Sequence, residues 1–231
     1  MIDKTAILGE NVKIGNYVVI EEDVLIGDHV EIGNHVTIKT GTIIADHTTV
    51  HDFSLLGKAP TSNKKMARKP AGDLEPLYIG ENVTIGSHTC LYQGSVLYHG
   101  VLVADMASIR ERVFVGEDSI IGKNVMVENN VVIGQHVTIQ TGSYVTAHMV
   151  IEDEVFIGPC VSSSNDKYMA SRTKPLQGPI VKKTARIGNN ATLLPSVIVG
   201  EKAIIGAGSV VTKDVSANQV VIGNPAKELG K

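Results

Sequence analysis

Aliphatic residues recur along this chain at every sixth position. One run goes from Ile2 and Leu8 through Ile26 and Val50 to Leu56. A second goes from Ile79 through Ile109, Val127 and Val145 to Ile157, and a third from Val181 to Val211. Within this frame a single slot is polar, Ser163. In nearly half of the slots the next residue is Gly, which reads as a device for the unusual backbone angles of a tight bend. Four places on, the residue is small or β-branched, as at Val18, Val24, Val30, Val125 and Val131. A helix cannot keep such a stripe on one face, because six residues at about 100° each carry it well round the axis. A flat strand of period two has no need of Gly at every sixth place. A triangular coil fits: three six-residue sides make an eighteen-residue turn, with the aliphatic side chains inside. Coils stacked ~4.8 Å apart, roughly ten of them, give a prism on the order of 50 Å long. The chain is therefore expected to be all-β, a parallel solenoid whose core is continuous only because neighbouring coils stack.

The period fails in two places. The stretch 57–78 carries three Pro and no aliphatic rhythm, so it should leave the prism as a loop. Its Lys58, Lys64, Lys65, Arg68 and Lys69 outnumber Asp73 and Glu75, which suits either a phosphate-seeking flap or a solvated surface loop. The stretch 164–180, beginning just after Ser163, is a second excursion able to cover a cleft. The expected organisation is a β-helix domain over 1–211 and a capping tail over 212–231.

Composition narrows the function. The 231 residues carry a net charge of −3, only 4% aromatics and no Trp, which does not suit a nucleic-acid surface. No apolar run approaches the ~18 residues of a membrane helix. No basic start is followed by an apolar block, so a cytoplasmic protein is expected. Two cysteines, Cys90 and Cys160, imply no disulfide framework.

In an eighteen-residue coil, residues eighteen apart stack. This places Asp166 on His148, with Asn130 below, and Asn165 over the small Ala147. An imidazole beside a carboxylate is a general-base arrangement, since the carboxylate fixes the tautomer and stabilises the imidazolium. A surface ladder of polar residues would look the same in sequence.

The pattern [LIV]-G-x-x-[STAV]-x resembles that of the hexapeptide-repeat acyltransferases, which implies a left-handed parallel β-helix. The stretch from Phe156 through Ser163-Ser164-Asn165-Asp166-Lys167-Tyr168, with its Pro179-Ile180-Val181 re-entry and its Ala191-Thr192-Leu193-Leu194-Pro195 coil, resembles the branch that N-acylates UDP- or dTDP-linked amino sugars. Here Met169 stands where that branch commonly has Pro. The resemblance implies that Asn165 and Asp166 face the acceptor sugar, with Lys167 and Tyr168 beside them and Glu128, Asn129 and Asn130 as neighbours. It implies acetyl-CoA as donor, with Gly206, Ala207 and Lys213 in the matching donor positions. It implies a homotrimer with sites between subunits and no required metal. The family does not use one base throughout, so His148 as base and deprotonation by another route both stand. An O-acetyltransferase and a non-catalytic assembly module are the alternative functions. A zinc hydratase would need three converging histidines, and His88, His99, His136 and His148 form no evident triad in sequence.

Overall fold

The computed structural model describes residues 1–65, 69–70, 72–172 and 175–230. The six-residue unit becomes one two-residue strand and one turn. In Leu25–Ile26, Phe114–Val115 or Ile198–Val199, the first residue faces outward and the second lies in the core. This is the side-to-side alternation of any strand. Strands pair in parallel with those one coil away, Phe114 with Val132 and Val132 with Val150. Three sheets of ten, twelve and ten strands result, and together they form a left-handed β-helix. Within each coil the chain visits the first, second and third sheet in turn.

The interior is almost entirely Ile, Val and Leu, including Ile38, Leu56, Ile85, Leu97, Ile121 and Ile139, each fully buried. Each such side chain contributes roughly 1.5–3 kcal/mol by leaving water. The small or β-branched slot two residues earlier is buried as well, as at Val24, Val30, Val125 and Val131. Where Ser or Thr fills that slot, its hydroxyl donates to a carbonyl of the next coil: Thr48 to Gly80, Ser54 to Gly86, Ser119 to Gly134 and Ser143 to Gly158, all at 2.8–2.9 Å. Ser209 instead accepts from Gly223 N–H, and Thr42 Oγ1 is the one buried side-chain polar atom among the described residues without any hydrogen-bond partner. It belongs to the coil whose next turn is Gly57, where φ is +77° and the chain prepares to depart.

The structure revises the role of the repeating glycines. Gly57 aside, the residue that takes the left-handed turn is not the Gly after the aliphatic slot but the residue two places further on. Asn11, His29, His47, Asn124, Asn130, His148 and Asn190 all have φ between 54° and 61°. Asn, Asp and His tolerate this region better than most residues. The glycines instead permit close approach. A Cβ on Gly116 would lie 2.5 Å from the Gly134 carbonyl carbon, and one on Gly188 would lie 2.6 Å from the Ala207 nitrogen.

The excursions leave the prism unbroken. Leu55–Lys58 is still a strand, and the chain returns at Tyr78–Ile79, where Tyr78 pairs with Ile43. Ser162–Ser163 is followed by Ile180–Val181, with Val150 pairing to Ile180. Ser163 earns its place in the core by stapling the coil below. Its hydroxyl donates to the Tyr144 carbonyl and accepts from the Thr146 N–H, both at 2.9 Å. Beyond Val211 the chain keeps a partial coil. Val220–Ile222 joins the second sheet in parallel and Lys227–Glu228 folds back antiparallel onto it.

The outward slots differ between the sheets. On the first sheet they are Ile7, Leu25, Ile43, Tyr78, Val96, Phe114, Val132, Val150, Ile180 and Ile198, every one carrying an apolar body. The second sheet mixes Lys13, Glu31 and Thr49 into the same positions, and the third Thr37, Ser108 and Ser162. No helix of the described residues is long and apolar enough to cross a membrane.

Candidate active site

Three corners run the length of the prism. The corner between the third and first sheets is the one from which both excursions leave. Here Arg112, Asn130 and His148 occupy successive left-handed positions, with φ of 57°, 58° and 61°. Backbone bonds tie the turns together: Asn130 N–H donates to the Glu111 carbonyl at 3.1 Å, and His148 N–H to the Asn129 carbonyl at 3.2 Å. The side chains are thereby held in register one coil apart.

A groove of about 300 Å³ opens at this corner. It is lined by Glu111, Arg112, Asn129, Asn130 and His148, with Lys69 and Pro70 of the first excursion closing one side. Arg112 and Asn130 also line an adjoining cavity of about 450 Å³, whose apolar walls are Leu74, Phe114 and Val132. Asp73 and Glu75 complete that cavity.

The structure thus brings Asn129, Asn130 and His148 to one groove, as eighteen-residue stacking requires. Asn165 stands over Ala147, where its side-chain amide donates to the Ala147 carbonyl at 3.1 Å. Its own carbonyl accepts from Gln177 N–H at 3.0 Å, which closes the neck of the second excursion. Gly178 permits this closure, since a Cβ there would meet Met149 N at 2.7 Å.

Asp166 does not follow the ladder. It is the residue at which the chain departs, and its carboxylate caps the new turn. Tyr168 N–H and Ala170 N–H donate to it at 2.8 and 2.7 Å. Among the described residues no hydrogen bond or ion pair joins it to His148. Tyr168 packs under the Arg172 guanidinium, 4.9 Å from ring centroid to charge, and Lys167 is exposed. Of the first excursion's basic residues, Arg68 lies outside the described residues.

Glu128 lies beside the groove, on the outer face of the third sheet. It belongs to a cluster around Arg110, whose guanidinium meets both Glu111 oxygens at 2.8 and 3.1 Å and lies 3.6 Å from Glu128. Burial works against the Arg110 charge, but Glu111 and Glu128 outweigh it and hold its pKa above the ordinary value. Arg110 and Lys58 both approach the Tyr92 ring, at 5.0 and 5.2 Å. Burial, reinforced by Glu128, pushes the Tyr144 phenol up. Burial likewise pushes the Cys90 thiol up, against the pull of Lys58 and Arg110, so that thiol is no ready nucleophile. Glu111 and Arg112 were not singled out by sequence reasoning, although the stacking column that contains Asn129 and Asn130 passes through them.

The donor candidates divide between corners. Lys213 is exposed and stands two places past a third-sheet strand, as Asn165 does, so it shares the corner of the groove three coils along. Gly206 and Ala207 form the turn between the second and third sheets. A Cβ on Gly206 would strike Ile222 at 2.6 Å, so packing between coils already calls for glycine there, while Ala207 is exposed on the turn and its backbone lies against Gly188.

Comparison with known proteins accords with this fold. The family model described as bacterial transferase hexapeptide (six repeats) matches residues 5–40 and 178–213. The chain carries hexapeptide repeats of this kind over those two stretches. The chain also matches, over residues 74–165, a second family model, described as the GMPPB C-terminal domain. Over 51 residues it is 49% identical to dTDP-3-amino-3,6-dideoxy-alpha-D-galactopyranose 3-N-acetyltransferase of Aneurinibacillus thermoaerophilus, covering 22% of this chain and 27% of that protein. The curated relatives it matches are covered over only 19–28% of their own lengths. Among solved structures, a Bacillus cereus protein described as a "putative acetyltransferase" superposes with a TM-score of 0.51 at 26% identity, over 65% of this chain and 84% of that one. The UDP-N-acetylglucosamine acyltransferase of Bacteroides fragilis 9343 superposes with a TM-score of 0.53 at 18% identity, over 99% of this chain and 71% of that one, a likeness of fold.

Proposed function

We propose that the protein is an acyl-CoA-dependent N-acyltransferase, with acetyl-CoA as donor and a UDP- or dTDP-linked amino sugar as acceptor. The observation that carries this reading is the corner groove, where His148, Asn129 and Asn130 converge beside Lys69 and Pro70 of the first excursion. The acetyltransferase descriptions of its relatives support the reaction class.

The sugar amine, once neutral, attacks the thioester carbonyl carbon. A C–N bond forms, the C–S bond breaks, and CoA leaves as its thiol. His148 accepts the proton that the amine sheds and passes one to the departing sulfur. Asn165 orients the acceptor from the coil above. A backbone N–H of the corner stabilises the tetrahedral oxyanion, a contribution typically of a few kcal/mol. Asp166 serves by shaping the turn that carries Lys167 and Tyr168 rather than by polarising the imidazole. Lys213, on the same corner, takes a phosphate of the donor. No acyl-enzyme is required, which agrees with the raised Cys90 thiol.

The same reading includes a homotrimer. The column of apolar outward strand residues on the first sheet supports it, because that column reaches the cavity adjoining the groove through Phe114 and Val132. A second copy seated there would wall the site.

The test is thiol release from acetyl-CoA across UDP- and dTDP-amino sugars. We expect turnover with at least one acceptor, and a kcat lowered ~10²-fold or more in His148→Ala. Turnover of hydroxyl acceptors alone would move the protein to the O-acyl class. Absence of turnover together with absence of CoA binding would favour an assembly module.

A further inference from the structure

Among the described residues Glu111 is the one charged residue that is buried, at 4% exposure. A buried carboxylate persists only with partners, and Arg110 supplies a two-pronged one. Each Glu111 oxygen takes one guanidinium hydrogen, whereas a carboxylate can accept about four bonds. The remaining acceptor capacity lies on a residue that lines the groove. The other charged residues lining the same groove, Arg112 and Lys69, are cationic and exposed. Charge in the groove is therefore ordered, with anion inside and cations at the rim.

A nucleotide-linked amino sugar has the opposite order: an ammonium on the sugar and a pyrophosphate toward the nucleoside. We infer that Glu111 receives the ammonium of the incoming sugar, Arg110 acts as the positioning residue that holds Glu111, and Arg112 with Lys69 takes the pyrophosphate. Glu111 then selects amines over hydroxyls at the binding step, before any proton is lost. This assignment rests on the acceptor class proposed above. It adds the residue that distinguishes an amino sugar from its hydroxyl analogue, because an analogue lacking the cation leaves the carboxylate without its extra partner.

The test is calorimetric titration without CoA, using dTDP-3-amino-3,6-dideoxygalactose and its 3-hydroxyl analogue, with the UDP pair in parallel. The wild-type protein should bind the amino member of one pair at least tenfold more tightly than the hydroxyl member. Glu111→Gln should bring the two affinities together by weakening the amino sugar. Arg112→Gln, at an exposed position, should weaken both members alike and leave their ratio intact. Equal wild-type affinities overturn the role of Glu111 even if Glu111→Gln fails to fold. So does a preference that survives Glu111→Gln, or one that changes with Arg112→Gln. Failure of the wild type to bind any of the four probes overturns the acceptor class itself, and this assignment with it.

Discussion

At Gly116, the nearest atoms to an added Cβ are the Gly134 carbonyl carbon and oxygen, both 2.5 Å away. Backbone of the next coil cannot withdraw without breaking its own ladder. We expect Gly116→Ala to lower stability by about 1–3 kcal/mol, read from urea unfolding. Met106 presents the reverse case, being exposed and left-handed at φ 62°. Met106→Gly removes a strain of roughly 1–2 kcal/mol, offset by about 0.5–1 kcal/mol of glycine entropy, so the same measurement should show no loss and a small gain. Sequence spacing located the turns but credited the bend to the wrong residue. A left-handed φ and a close approach both select Gly, and spacing alone does not separate them. The distinguishing sign was two places on, where Asn, Asp and His recur.

Coils are clasped by ion pairs as well as by backbone ladders. Glu21 meets Lys39 at 2.5 Å and Glu152 meets Lys182 at 2.7 Å. In each case the lysine's hydrogen bond is the main reason the carboxyl titrates below its ordinary value. A carboxyl whose folded pKa is depressed contributes stability above the unfolded value near 4.5, and that contribution is lost as pH falls through the lower folded value. The urea midpoint should therefore drop as the pH is lowered past about 4.5, and Glu21→Gln with Glu152→Gln should shrink the drop. A midpoint that falls just as far in the double variant would refute the assignment. The regular coils were legible from the sequence because one period repeats and the register follows from it. That Asp166 leaves the ladder above His148 was not, since stacking arithmetic holds only while the chain stays on the prism, and Asp166 is where it departs. Glu111 escaped notice for a related reason. Adjacent residues of a strand point to opposite sides, so nothing in the pattern foretold that Arg110 and Glu111 would meet as the chain rounds the corner.

The three faces of the prism share one core yet present different surfaces to their surroundings. If the first face carries the contact between copies, then Ile198→Lys, far along the stripe from the groove, should yield smaller species in sedimentation velocity while leaving the far-UV spectrum unchanged. An unaltered sedimentation profile would exclude that face at that position. The face was readable in principle, because outward slots also recur with the period, but only the assignment of slots to sheets showed that one column is apolar throughout. The corners carry a further consequence. Tyr17, His35, Phe53, Met106, Arg112, Cys160 and Lys202 all adopt the same left-handed conformation, so the route of the chain does not depend on what is mounted there. Reactive groups can thus be exchanged along an edge, one at a time, each costing no more than the roughly 1–2 kcal/mol of a left-handed residue and leaving the path of the chain intact. A lineage built this way can change its chemistry without redesigning its architecture.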